Sequence, residues 1–109
     1  MEMTAAVQEK NQAEYEKLII NFRSKNGFQK VGHKGFAVLT TLWETASKKH
    51  WDEKISLYNK DLVCFAALRD AAELYVIREK LIKHGFLKKY IGPGQGSREK
   101  AIYFLNYNF

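Results

Sequence analysis

The sequence has one cysteine, Cys64, and three scattered histidines, His33, His50 and His84. One cysteine cannot close an intrachain disulfide, which suits a reducing compartment. Cys64 also has no Cys or His neighbour at ligand spacing, and a zinc site needs about four such ligands. It is expected to be a small buried core residue. No run approaches the roughly 18 apolar residues of a membrane span, and no apolar signal segment follows the start. A soluble, cytoplasmic protein is expected. No serine sits in a nucleophile elbow and no carboxylate pair stands out. The chain shows no internal repeat and no low-complexity tract. No catalytic residue, metal or cofactor is expected, and an enzyme is not.

What is present suits one domain with a real core: 109 residues, 46% of them hydrophobic and 14% aromatic. Residues 1–12 are polar, begin no apolar stripe and are expected to form a flexible segment ahead of a domain at 13–109. The net charge is +6, unevenly spread. Residues 1–53 carry +1 and residues 54–109 carry +5. A localised positive field attracts phosphate polymers or anionic membranes.

Apolar spacing predicts a helix over Ala13–Lys25, with Tyr15, Leu18, Ile19 and Phe22 on one face. Asn26-Gly27 stops it, with Gly27 as the left-handed cap. A connection, Phe28–Gly35, leads to a second helix over Phe36–Lys49, striped by Phe36, Leu39, Leu42, Trp43 and Ala46. Trp51 folds back on the core. Lys54–Leu57 alternates as a short strand. Asn59 caps a third helix, about Lys60–Ala67, whose apolar surface is Leu62, Val63, Phe65, Ala66 and Leu68. Arg69-Asp70 is a tight turn. Asp70 and Glu73 resemble a capping box at the start of a fourth helix, Ala71–His84, which buries Leu74, Ile77, Leu81 and Ile82. Gly85 ends it. Strands Phe86–Ile91 and Ala101–Tyr107 flank a glycine-rich basic loop, Gly92–Lys100. That loop lacks the Gly-Lys-Ser/Thr ending of a phosphate loop and precedes a strand, so it reads as a hairpin tip.

Two short helices at a tight turn, followed directly by a basic hairpin, predict an α+β, mainly helical, winged helix-turn-helix. About four helices and a small antiparallel sheet with a β-hairpin wing are expected. Its second helix, Ala71–His84, would enter a major groove by its N-terminal turns. The outward face holds Ala72, Glu73, Val76, Glu79, Lys80 and Lys83, with Tyr75 at its margin. Ala72, Tyr75 and Val76 could meet thymine methyls and favour A·T-rich sites. Glu73 is read as a cap residue or as an acceptor for a cytosine amine. Phosphate contacts would come from Lys60, Arg69, Lys83, Lys88 and Lys89, and on the wing from Arg98 and Lys100, with Gln95 and Ser97 as donors.

From about Tyr15 to Tyr107 the chain resembles the N-terminal domain of phage replisome organizers, replication-initiation proteins of phages of Gram-positive bacteria. The resembling stretches are Tyr15-Glu16-Lys17-Leu18, Phe36–His50 with Leu42-Trp43 and Ala46, then Trp51, and Leu74–Leu87 with Arg78 and its turn at Gly85. The resemblance implies binding to repeated sites at a replication origin in the bacterial host. It also implies a helicase loader or helicase recruited through a separate C-terminal region not present here. The chain departs from the family at Asp70-Ala71-Ala72-Glu73, where members carry Ser or Thr with basic and polar residues. Two other readings stay open: a winged-helix transcriptional regulator, and a protein-interaction or dimerisation module using the apolar outer face of the recognition helix. A homodimer would suit paired half-sites.

Overall fold

The first helix of the computed structural model, α1, runs over Ala5–Ser24, and the structure describes residues 5–92 and 100–109. Leu18 and Phe22 are buried on one face of α1, and Tyr15 and Ile19 pack at its edge, as the spacing predicts. The helix starts at Ala5 rather than at Ala13. This early turn carries no apolar stripe. It is tied down at Asn11, whose Oδ1 accepts the Trp51 indole N–H at 3.1 Å. A contact 40 positions apart leaves no mark on local periodicity.

Helix α2 (Gly27–Ser47) follows after Asn26, which takes the left-handed conformation (φ 58) expected of Gly27. Gly27 is helical and buried, and a Cβ there would overlap the Phe22 ring. Glycine is needed at this joint for space, and asparagine, which tolerates positive φ, takes the turn. The expected connection over 28–35 is helical on both sides of a single break at Gly32 (φ 74, ψ 177). Beyond it, Val38, Leu39, Leu42, Trp43 and Ala46 form the buried stripe.

The remaining elements are β1 (Lys54–Leu57), α3 (Asn59–Phe65), α4 (Ala71–Lys83), β2 (Leu87–Ile91) and β3 (Ala101–Leu105). The strands form one antiparallel sheet in the order β1-β3-β2. Alternation gives it two unlike faces. Ala101, Tyr103 and Leu105 point inward and are buried. Ile102 and Phe104 lie on the other face, opposite Ser56 and Lys54 of β1 and Ile91 and Lys89 of β2. The core fills the space between the helices and the inner sheet face. Trp43, Tyr103, Phe22 and Phe86 are its largest fully buried side chains. The Phe22 ring lies 5.2 Å from Phe28, 5.0 Å from Phe36 and 4.9 Å from Phe86. Full burial of a phenylalanine such as Phe22 or Phe86 contributes about 1.5–3 kcal/mol. Among the described residues, four helices and a three-stranded antiparallel sheet in this order are an α+β, winged-helix-like fold.

The α3–α4 pair departs from expectation at three residues. Cys64 is exposed rather than buried. The buried side of this seven-residue helix is set by Leu62 and Ala66, one turn apart, and Cys64 falls between them on the far side. Phe65 is also turned outward, 69% exposed. Asn59 is the first helical residue and not the cap, which is Tyr58. The Asn59 side chain is drawn away to Arg78.

Candidate nucleic-acid interface

Both ends of α4 are built as the sequence predicts. The Asp70 carboxylate accepts the Glu73 backbone N–H at 2.9 Å, satisfying one of the donors left over at a helix start. At the other end Gly85 takes φ 81. Phe86 N–H donates to Leu81 O, and Gly85 N–H donates to Ile82 O, which together make a Schellman motif. α3 ends the same way: Leu68 N–H donates to Val63 O and Ala67 N–H to Cys64 O. There the left-handed position is held by an alanine, Ala67 (φ 53).

Leu74, Ile77 and Leu81 hold α4 to the core, while Ile82 is only half-buried. Its opposite face is open: Ala72, Tyr75, Val76, Glu79, Lys80 and Lys83 are exposed, Tyr75 by 56% and Val76 by 51%. The Glu73 side chain is drawn to two cations and not back to the cap. Its Oε1 receives the Lys34 ammonium at 2.6 Å and its Oε2 receives Arg69 Nε at 2.8 Å. Hydrogen bonding from Lys34, then from Arg69, holds the carboxyl below its ordinary range. Arg69, expected to meet phosphate, is paired with this carboxylate, and its side chain remains 81% exposed.

The other expected cations among the described residues are distributed over four places. Lys60, at the start of α3, and Lys100, just ahead of β3, come together over the Tyr58 ring, their ammonium groups 5.4 and 5.2 Å from its centroid. Lys88 reaches Glu53 at 3.4 Å. Lys89 lies 4.6 Å over the Phe104 ring, on the outer face of the sheet. Lys83 is exposed in the last turn of α4. Gln95, Ser97 and Arg98 lie outside the described residues.

Sequence reasoning missed the group that fastens α4 to the hairpin. Arg78 is buried, 5% exposed. Its Nη1 donates to Asn59 Oδ1 and to the Tyr103 hydroxyl, both at 2.9 Å, and its guanidinium lies 4.2 Å over the Tyr90 ring. These partners are neutral, and its Nε is buried with no hydrogen-bond partner. The Tyr90 hydroxyl donates in turn to Glu79. One side chain therefore ties the α3 start, α4, β2 and β3 together. A charge of this kind is hidden from periodicity because it occupies a core position that an apolar pattern would skip. Asn59 and two tyrosines give it stacking and hydrogen bonds in place of a counter-ion.

Among the described residues, no group of three or more His, Cys, Asp or Glu side chains could hold a metal ion, and no helix is long and apolar enough to cross a membrane. Comparison of the chain with protein-family models, curated proteins and solved structures finds no match to any of them.

Proposed function

We propose that this chain binds double-stranded DNA, with the open face of α4 in a major groove and Lys60 and Lys100 on the flanking phosphates. The observation that carries this reading is the meeting of Lys60 and Lys100 over Tyr58. They come from positions 40 residues apart in the sequence, one on the helix ahead of α4 and one at the root of the hairpin. A neutral ring leaves both charges available to an anion. Arg78, through Asn59, links this pair to α4. Ala72, Tyr75 and Val76 offer methyl and ring surface that suits A·T-rich major grooves. Binding, without catalysis, metal or cofactor, is the activity proposed.

The resemblance to phage replisome organizers narrows the target to repeated sites at a replication origin in a bacterial cytoplasm. A homodimer would span paired half-sites, and a helicase loader would be met by another region of such a protein. A transcriptional regulator would use the same face on a different site, and selection of bound fragments from the native genome separates the two. The exposure of Tyr75 and Val76 also supports a second reading, docking of a partner protein on α4.

A salt titration on A·T-rich and random duplexes tests the proposal. About four phosphate contacts give a slope of log K against log salt of roughly −3 to −4. A slope near zero, or no binding at low salt, removes the DNA reading and favours the partner-docking one.

A further inference from the structure

The outer face of the sheet repeats the arrangement found at Tyr58. Phe104, on the central strand β3, has Lys54 of β1 and Lys89 of β2 as its register partners. Both ammonium groups turn over its ring, at 6.0 and 4.6 Å from the centroid. The next row on the same face is Ser56, Ile102 and Ile91, the last 52% exposed. Neither row contains an acidic residue. The inner face, by contrast, is closed by Tyr103 and Tyr90 against Arg78.

We propose that this face is a second nucleic-acid site, for a single strand. An aromatic ring flanked by cations, with aliphatic side chains beside it, matches what unpaired bases require: a flat surface to stack on and positive charge for the backbone on either side. A duplex cannot use the ring, because its bases already stack on one another and present only their edges. An acidic peptide could use the two lysines but gains little from the ring. The strands flanking β3 lie about 4.8 Å to either side of it, so once the two ammonium groups swing off the ring to meet phosphates the lysines bracket a base laid on Phe104. This site stands apart from α4 and does not rest on the duplex reading.

The test is fluorescence anisotropy of the whole chain with labelled oligothymidylate, with duplex DNA and polyglutamate as competitors. The expected result is salt-dependent single-strand binding that falls about tenfold in Phe104→Leu and about as much in the double variant Lys54→Ala/Lys89→Ala. Duplex affinity in the same variants stays within about twofold. Phe104→Leu keeps an apolar side chain on a solvent face, and thermal melting checks that both variants fold. No single-strand binding, or binding that both variants leave unchanged, overturns the proposal. So does loss in the lysine variant alone with full competition by polyglutamate, which would mark a site for acidic chains. Because duplex binding is read separately, failure here is distinguishable from failure of the duplex proposal.

Discussion

Two clusters gather cations around opposite kinds of centre. At Glu73, Lys34 from α2 and Arg69 from the α3–α4 turn meet a carboxylate, one on each oxygen. At Tyr58, Lys60 and Lys100 meet a neutral ring. Counted on the sequence, all four are positive charges of equal worth. In the fold, one charge of the first pair is offset by the carboxylate it surrounds, and the second pair keeps both of its charges. A ring can hold two ammonium groups near each other while leaving their outer hydrogens free to meet phosphate. Positive potential beside α4 is set by what the cations rest against.

The largest expected effect comes from removing the pair at Tyr58. Lys60→Ala/Lys100→Ala lowers duplex affinity roughly 100-fold at low salt and makes the log–log salt slope shallower by about 2. Arg69→Ala, which removes an exposed cation from the carboxylate-bound pair, lowers it by no more than about threefold on the same reasoning. Equal losses in the two variants, read in one titration series, would erase the distinction between the clusters.

A smaller change of opposite sign is expected from Glu73→Gln. The Asp70 cap is kept, because it uses the backbone N–H of residue 73. Lys34 and Arg69 lose their carboxylate, so duplex affinity rises by about three- to tenfold and the salt slope steepens by up to about 2. The pH dependence follows from the lowered carboxyl, whose ordinary value is 4.5. The folded state holds that proton more weakly than the unfolded chain. The pairing therefore stabilises the fold fully above that ordinary value and fades as pH falls through the lowered one. Thermal melts from pH 6 to pH 3 should show a flatter acid limb in Glu73→Gln. An acid limb identical to that of the parent would mean that the two ion pairs add nothing to stability.

Much of the fold could be read from the chain because local rules and packing agree in it. The stripes of α1 and α2, the Asp70 cap and Gly85 closing α4 all follow from spacing or from residues whose backbone preference is strong. The outward face of α4 is also legible, since it is the complement of Leu74, Ile77 and Leu81. The failures share a different cause. The start at Ala5 depends on Trp51 reaching Asn11, and the loss of Asn59 as a cap depends on Arg78. The outward turn of Lys89, on which spacing gave no expectation, follows from a register shift between Leu87 and Lys89. Each is settled by a partner far along the sequence or by a one-residue irregularity, and neither leaves a periodic trace. The pairing of Lys60 with Lys100 belongs to the same class: residue types told that cations were present, and only the antiparallel seam of β1 and β3 brings these two together.

The smallest expected effect isolates geometry from charge. The turns after α3 and α4 are the same motif, closed once by Ala67 and once by Gly85, both in the left-handed region. A Cβ in that region costs about 1–2 kcal/mol, and glycine gives back part of the gain through its freer unfolded chain. Ala67 is solvent-exposed, so its methyl group has little packing to lose. Ala67→Gly is therefore expected to stabilise the protein by about 0.5–1 kcal/mol, or roughly 3–5 °C in melting temperature. The turn sets the position of Arg69, whose charge is taken up by Glu73, and of the Asp70 cap, and it holds neither Lys60 nor Lys100, so duplex affinity should move by less than about twofold. A destabilised Ala67→Gly in thermal melts would show that the α3–α4 turn does not sit in the left-handed conformation in solution. A large change in affinity without a change in stability would show that the turn, and not the balance of charge around Glu73 and Tyr58, controls how α4 meets DNA.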